Sequence, residues 1–442
     1  MLEPPLSTIS GWGRHSAEGR ERIGEDIERI SADVNLSRGL GRSYGDASLP
    51  PSDTPDVLNT TYADRILGFD PETGVFRAES GFSLCELNRL FMPRGWFTPV
   101  SPGTKYVTLG GMVAADVHGK NQHRDGDFGD HVRSIKMRVA DGRVVECSPT
   151  EHSDLFRATV GGMGLTGHIL EVEFTLKPIP SSWFWQENRR IHDIDEFQEC
   201  LERTSPEWPH TMGWIDCLTR GRQMGRGIMM AGRWATPDEA PPKPPKPRFR
   251  PRLGFDFPSW VLNRASIRIF NELYYRKQWR HESRGIVALE PFYYPLDVIR
   301  SWNRMYGRRG FTQYQCVLPR EAGRSSARRV LDVLTSRGGA SFLCVIKDFG
   351  REGPGVLSFP RPGITLALDI AVRDDTQELV DALNERVLEE GGRVYLAKDS
   401  FTRREHFQAM ESERLDEFNA IRDRWDPNRR FRSALSVRLL GD

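Results

Sequence analysis

The sequence predicts an α+β chain of two units, and three observations carry that prediction. Glycine-rich loops recur at 38–46 (RGLGRSYGD), 102–121 (PGTKYVTLGGMVAADVHGKN) and 160–167 (VGGMGLTG), all before residue 181. From about Ser181 onward, strand-like alternation and amphipathic helical periods take turns. At 442 residues the chain is too long for one ordinary core, so two domains are expected.

Taken in order, the chain opens with a short polar arm, and residues 31–46 read as a strand entering a tight glycine loop. A nicotinamide-type fingerprint would need a helix directly after those glycines, whereas DASLPPSDTPDVLNTT is proline-rich and has no helical period. RILGFD and VFRAES are strands joined by the turn sequence Pro71-Glu72-Thr73-Gly74. Ser83-Leu84-Cys85-Glu86 is a capping box opening a helix that ends near Gly95. HVRSIKMRVADGRVVECSP is a hairpin turning at Asp141-Gly142, SDLFRATV a short helix, and LEVEFTLKPI a closing strand. In the second unit, strands are expected at 183–190, in the stretch 212–234, and at FTQYQCVLP, SFLCVIKDFG and ITLALDIAV. Helices are expected at 193–203, 260–280, SSARRVLDVLTSRG and TQELVDALNERVLEEGG. The stretch 241–252, PPKPPKPRFRPR, holds six prolines, five basic residues and no acid, so it reads as an extended, mobile loop. After RVYLAKDS the tail shows two helical stretches broken at Asp426-Pro427.

Composition narrows the function. With 62 Lys+Arg against 61 Asp+Glu, the overall charge gives no reason to expect nucleic acid. The six cysteines are scattered without a C-x-x-C pair, which argues against a zinc module and for a reducing compartment. His118, His123 and His131 stand among Lys120, Arg124 and Arg133, surroundings that suit an anion better than a metal ion. Neither a signal-peptide core nor an apolar run of membrane-spanning length occurs, so a cytoplasmic protein is expected. The glycines themselves suggest a cradle for a dinucleotide, because backbone amides approach a phosphorylated or flat ligand most closely where no Cβ intervenes.

The strings RGLGRSYGDA, PGTKYVTLGG, HGKN with FGDHVRS, ATVGGMGLTG, WNRMYG, TQYQ, SFLCVIKDFG, LSFPRPG and YLAKDS lie in that order over nearly the whole chain. In them the chain resembles the vanillyl-alcohol-oxidase/PCMH-type FAD-binding oxidoreductases. Within these it is most similar to the decaprenylphosphoryl-β-D-ribose 2-oxidase family, the flavoenzyme half of decaprenylphosphoryl-ribose epimerases. The resemblance implies an FAD domain from residues 1–180 completed by 393–442, with a substrate domain on an antiparallel sheet inserted at 181–392. It implies oxidation of a sugar secondary alcohol to a ketone, the C2 hydroxyl of a polyprenylphosphoryl-β-D-ribose. Oxygen or a quinone would reoxidise the flavin, and an NAD(P)H-dependent short-chain reductase would finish the epimerisation. An aldono-1,4-lactone or alditol oxidase is the alternative enzyme, and a non-catalytic FAD-binding assembly or electron-carrier subunit the alternative of another class.

Carried over residue by residue, Arg38, Gly39, Leu40, Gly41, Arg42, Ser43 and Tyr44 would wrap the FAD pyrophosphate. Gly103, Thr104, Val107, Thr108, Gly110, Gly111, Ala114, Ala115, His118, Gly119 and Asn121 would run along the ring and ribityl chain, joined by Gly164, Thr166, Gly167, Ile169 and Tyr395. Lys398, with His118 and Tyr395, would be catalytic: a lysine beside the flavin holds the reacting hydroxyl and accepts its proton. Tyr44, Lys120, Trp214, Gln313, Gln315, Leu343, Lys347, Phe349, Thr365, Ala367 and Lys398 would line the substrate pocket. The period of two already places Gln313 with Gln315, and Lys347 with Phe349, on shared strand faces. Two departures stand out. Covalent-flavin members carry a histidine where Arg42 stands, so the FAD here is expected to be non-covalent. The mycobacterial enzymes have an asparagine and an inhibitor-reactive cysteine where this chain has Thr365 and Ala367. A polyprenyl substrate also implies peripheral contact with the inner face of the plasma membrane. For that contact 241–280 is the candidate segment, with Lys243, Lys246, Arg248, Arg250 and Arg252 as its basic residues.

Overall fold

In the computed structural model, residues 4–442 are described apart from 247, 248, 259 and 340, so Arg248 of the basic segment lies outside the described residues. The opening stretch is not an arm. Ser7–Ser10 pairs antiparallel with Ser16–Ile23, and both Ser16–Ile23 and Ser37–Arg38 run parallel to Asp56–Asn59. A second sheet has the order Ile66–Phe69, Val75–Glu79, His168–Thr175, Val132–Arg138, Val144–Cys147. Helix Leu84–Phe91 packs beside it, with Ser83 Oγ accepting from the Glu86 N–H (3.2 Å) as the N-cap, and the following turn ends at Gly95 in the left-handed region (φ 81°). Phe76, Phe91, Phe128 and Phe174 fill this core through edge-to-face contacts.

The remaining architecture centres on an eight-stranded antiparallel sheet. Its order is Glu282–Ala288, Trp183–Ile191, Gly227–Trp234, His210–Ile215, Cys344–Phe349, Gly363–Ala371, Phe311–Pro319, Arg393–Val394. One face of its centre carries Tyr314, Cys316, Ile346, Leu366 and Leu368 into a core shared with helices Ile194–Thr204, Ser325–Ser336 and Thr376–Glu389. The other face is left for the site. The short strand Arg393–Val394 pairs at the sheet edge with Cys316 and Val317. Beyond it, helix Arg404–Trp425 packs on helix Ser153–Thr159 of the glycine-loop region. Ala397 O accepts from the Tyr44 N–H (2.9 Å), and Arg438 bridges Asp46 (2.8 Å) and Asp399 (2.9 Å), so the tail is fastened to the first glycine loop.

The described part of 241–252 is tied down at several points. Lys243 O accepts from Trp183 Nε1, Arg250 binds Tyr106 Oη (2.7 Å) and Glu290, and Arg252 forms a parallel bridge with Arg300. Among the described residues, no helix is long and apolar enough to cross a membrane.

Candidate functional site

The glycine loops, the free face of the large sheet and the turn after Val394 enclose a cavity of about 800 Å³. One wall is mostly backbone. Gly39 to Tyr44, Gly103, Thr104, Val107, Thr108, Gly110, Gly111, Ala114, Ala115, Gly119, Gly164, Gly167 and Ile169 all face the void. Thr108 caps the short helix Leu109–Ala114 by accepting from the Gly111 N–H (3.3 Å). Gly39 lies so close to this cap that an added Cβ would sit 2.3 Å from Thr108 Oγ1. At Gly103 an added Cβ would meet nothing within 4 Å, because its α-carbon opens directly on the cavity. Ser80 also lines this wall, and its buried Oγ has no hydrogen-bond partner. Small residues around an open trough with an orphaned hydroxyl fit a dinucleotide, which would supply both the missing partner and the missing bulk.

Three residues expected on this wall turn away from it. Arg38 sends its guanidinium to Ser48 Oγ (3.0 Å) and Ser10 O (2.7 Å). Asn121 donates to Pro99 O (2.8 Å), and Thr166 shares a hydrogen bond with Thr159 (2.9 Å). In each case the loop needs the side chain for its own polar groups. Arg42 does face the cavity, lying 4.3 Å above the Trp12 ring and donating to Leu40 O (2.6 Å).

The opposite wall is made of side chains, and strand register decides its membership. Trp214 is paired with Val345, Val345 with Ala367, and Ala367 with Gln315, so these four project from one face. Two residues along on the same face stand Lys347 and Gln313, and all six line the cavity together with Leu343, Lys120, Tyr44, Tyr395 and Lys398. Phe349 and Thr365 stop short of the void. Phe349 packs edge-on against His118 (centroids 4.9 Å apart), and Thr365 donates to Cys316 O (2.8 Å) while accepting from Gln315 Nε2 (3.2 Å).

His118 links the two walls. Gln315 Nε2 lies 3.0 Å from its Nε2 and Lys347 Nζ 3.0 Å from its Nδ1, so both ring nitrogens are engaged and the tautomer sets which side donates. Burial first, and the Lys398 charge second, push Lys347 down to about 7. Burial also holds His118 well below its ordinary value, with Lys347 and Lys398 adding to the effect. Lys120 is lowered strongly by burial, its ammonium lying 4.6 Å from the Phe292 ring centre and donating to Phe292 O. Tyr395 donates its hydroxyl to Ala115 O (2.9 Å) and stacks on Phe359 (4.8 Å).

Lys398 sits in the turn closed by its own N–H to Tyr395 O (2.9 Å), with Nζ 3.9 Å above the Tyr44 ring. Burial lowers it to about 8, against the opposing pull of Asp369. Asp369, paired across the strands with Gln313, is the residue that sequence reasoning missed. It accepts from Gln313 Nε2 and from Tyr306 Oη (3.0 Å), and burial raises it to about 6. In ITLALDI it shares parity with Ala367, but only the pairing of two distant strands sets it opposite Gln313. Ser80 and the ring pair Phe270 and Tyr274 were missed as well, because nothing local marks them as cavity residues.

Comparison with known proteins identifies the cofactor and the family. A family model described as an FAD binding domain matches residues 34–148. Decaprenylphosphoryl-β-D-ribose oxidase of Mycolicibacterium smegmatis is 36% identical over 99% of this chain and 98% of its own. A Streptomyces coelicolor protein described as uncharacterised is 33% identical over 81% of this chain and 99% of its own. A Neurospora crassa chain assigned provisionally as a D-arabinono-1,4-lactone oxidase is 26% identical, over only 35% of this chain and 29% of its own. The first match spans both walls of the cavity. The cofactor is FAD, and the chain belongs to the decaprenylphosphoryl-β-D-ribose oxidase family of FAD-dependent oxidoreductases.

Proposed function

We propose that this enzyme oxidises the C2 hydroxyl of a polyprenylphosphoryl-β-D-ribose to the ketone, the first half of an epimerisation to the arabinose form. The observation that carries the reading is the side-chain wall: amides, amines and one imidazole converge on a cavity whose other wall suits FAD. Bound FAD supplies the hydride acceptor. Lys398, lowered to about 8, is neutral in a useful fraction near neutral pH and takes the proton from the reacting hydroxyl oxygen. Gln313, held by Asp369, and Gln315, held by Thr365 and His118, offer fixed amides to sugar hydroxyls. Tyr395 positions the Ala115 backbone and the His118 ring instead of moving a proton, since its own hydroxyl is committed. In this reading residues 1–180 and 393–442 form the cofactor unit and 181–392 the substrate unit, the FAD is non-covalent, and oxygen or a quinone takes the electrons.

The lipid chain would be met at a membrane surface. Trp260, Ile269, Leu273 and Trp279 are 73%, 62%, 65% and 71% exposed on and around helix Arg264–Lys277, and Lys243 and Lys246 are exposed as well. A short-chain reductase would complete the epimerisation. Anaerobic mixing of the holoenzyme with farnesylphosphoryl-β-D-ribose tests the proposal. Loss of the oxidised flavin absorption is expected, while an unchanged spectrum with this compound, but bleaching by an aldonolactone, would transfer the enzyme to the lactone oxidases. No bleaching by either would leave a cofactor-binding subunit without catalysis.

A further inference from the structure

The mouth of the cavity carries a charge imbalance. Several cations just outside the lining are matched by carboxylates. Lys105 and Arg250 both bind Glu290, and Arg14 (2.6 Å) and Arg304 (3.5 Å) both bind Asp256. The buried carboxylate Asp297 is occupied by Thr104 Oγ1 (2.8 Å) and the Lys105 N–H (3.0 Å). Arg252 and Arg300 are different. Their backbones are fixed side by side, the Arg300 N–H donating to Pro251 O (2.8 Å) and the Leu253 N–H to Arg300 O (3.0 Å). Both line the cavity, and neither guanidinium has an ion pair or hydrogen bond among the described residues. Two arginines carried on bridged backbones into one cavity concentrate positive charge there, and their planar forks suit the oxygens of a phosphate.

The surrounding surface indicates which anion. An aromatic track runs along the same cavity: Trp214 meets Tyr274 edge-on (4.7 Å), Tyr274 stacks on Phe270 (5.8 Å), and Phe270 reaches the exposed face of helix Arg264–Lys277. A ligand that fits has a polar head inside, one anionic group at the rim and an apolar chain leading out. We propose that Arg252 and Arg300 form a phosphodiester subsite that holds the linkage between sugar and lipid. The assignment deepens the function proposed above and rests on it for the identity of the anion.

The test is a binding titration of the FAD holoenzyme that needs no turnover, followed by perturbation of the flavin spectrum in low salt. The two probes are methyl farnesyl phosphate, an anionic diester, and farnesyl methyl ether, its uncharged counterpart. Wild-type protein is expected to bind the diester roughly tenfold to a hundredfold more tightly, the usual worth of hydrogen bonds to a charged group. The double variant R252Q/R300Q should bind both probes alike while retaining its FAD. Equal binding by the wild type, or a preference that survives in the double variant, overturns the subsite. So does loss of FAD from the double variant, which would give these arginines to the cofactor diphosphate. If the diester preference holds but farnesylphosphoryl-β-D-ribose fails to bleach the flavin, the oxidation reading falls and the anion subsite stands.

Discussion

The two walls of the cavity solve different problems with different materials. The glycine wall is mostly glycine, alanine and backbone, and among its tight points is the approach of Gly39 to the Thr108 cap. The sheet wall is made of long polar side chains, each oriented by a neighbour: Gln313 by Asp369, Gln315 by Thr365, Lys347 by His118. Backbone recognises what all members of a superfamily share, because main-chain amides are the same whatever the sequence. Side chains recognise what differs.

If this division holds, damage to either wall should be separable. The largest effect is expected from Lys398→Ala, which should keep its FAD and lose roughly 10²–10⁴ in the rate of flavin bleaching, the usual worth of a positioned acid–base group. A variant that lost its flavin, or bleached at nearly the normal rate, would break the separation. On the other wall, Gly39→Val should weaken FAD binding by about 10-fold to 100-fold through overpacking against Thr108. Circular dichroism of the apo variant should still show the sheet. A smaller effect concerns pH. Because burial depresses Lys398 to about 8, its neutral, proton-accepting form is scarce below that value and saturates above it. Bleaching at limiting substrate should therefore climb with pH up to about 8 and then level off, and Lys398→Ala should flatten the climb. A profile that falls over this range would assign the lysine as a cation. The smallest expected change is at Ala367, which lies opposite Gln315 and Val345 and has no thiol. A nitroaromatic inhibitor that attaches to the cysteine of the mycobacterial enzymes should add no mass here by intact-protein spectrometry, and Ala367→Cys should restore the adduct. An adduct on wild-type protein mapped to Gly363–Ala371 would put the register of that strand in error.

The same contrast explains what was legible beforehand. Turns and caps read correctly because their chemistry is local: Gly142 adopts φ 91° at the hairpin, and Ser83 caps its helix. The first strands escaped notice because SAEGRERI buries only Gly19, so it lacks the apolar alternation that betrays a strand. Gln313 and Gln315 were visible through the period of two. Asp369 was not, because which residue faces Gln313 depends on the pairing of two strands more than fifty positions apart. Arg38, Asn121 and Thr166 show the opposite limit: a motif tells which loop approaches the cofactor, but the loop's own carbonyls and hydroxyls decide where each side chain turns.

The fastening of the tail to the first glycine loop bears on how the enzyme is made. Lys398 hangs beside Tyr44 from a turn held by Ala397 O, and the Arg438–Asp46 pair closes a span of 392 residues. Contacts that distant cost the most chain entropy and form late. During synthesis, all three glycine loops and every strand of the large sheet but its edge are translated before the residue that completes the site. Flavin capture should thus be a post-translational event. In refolding with FAD present, recovery of the far-ultraviolet signal should precede quenching of flavin fluorescence, the delay reporting how long the site waits for its last strand and turn.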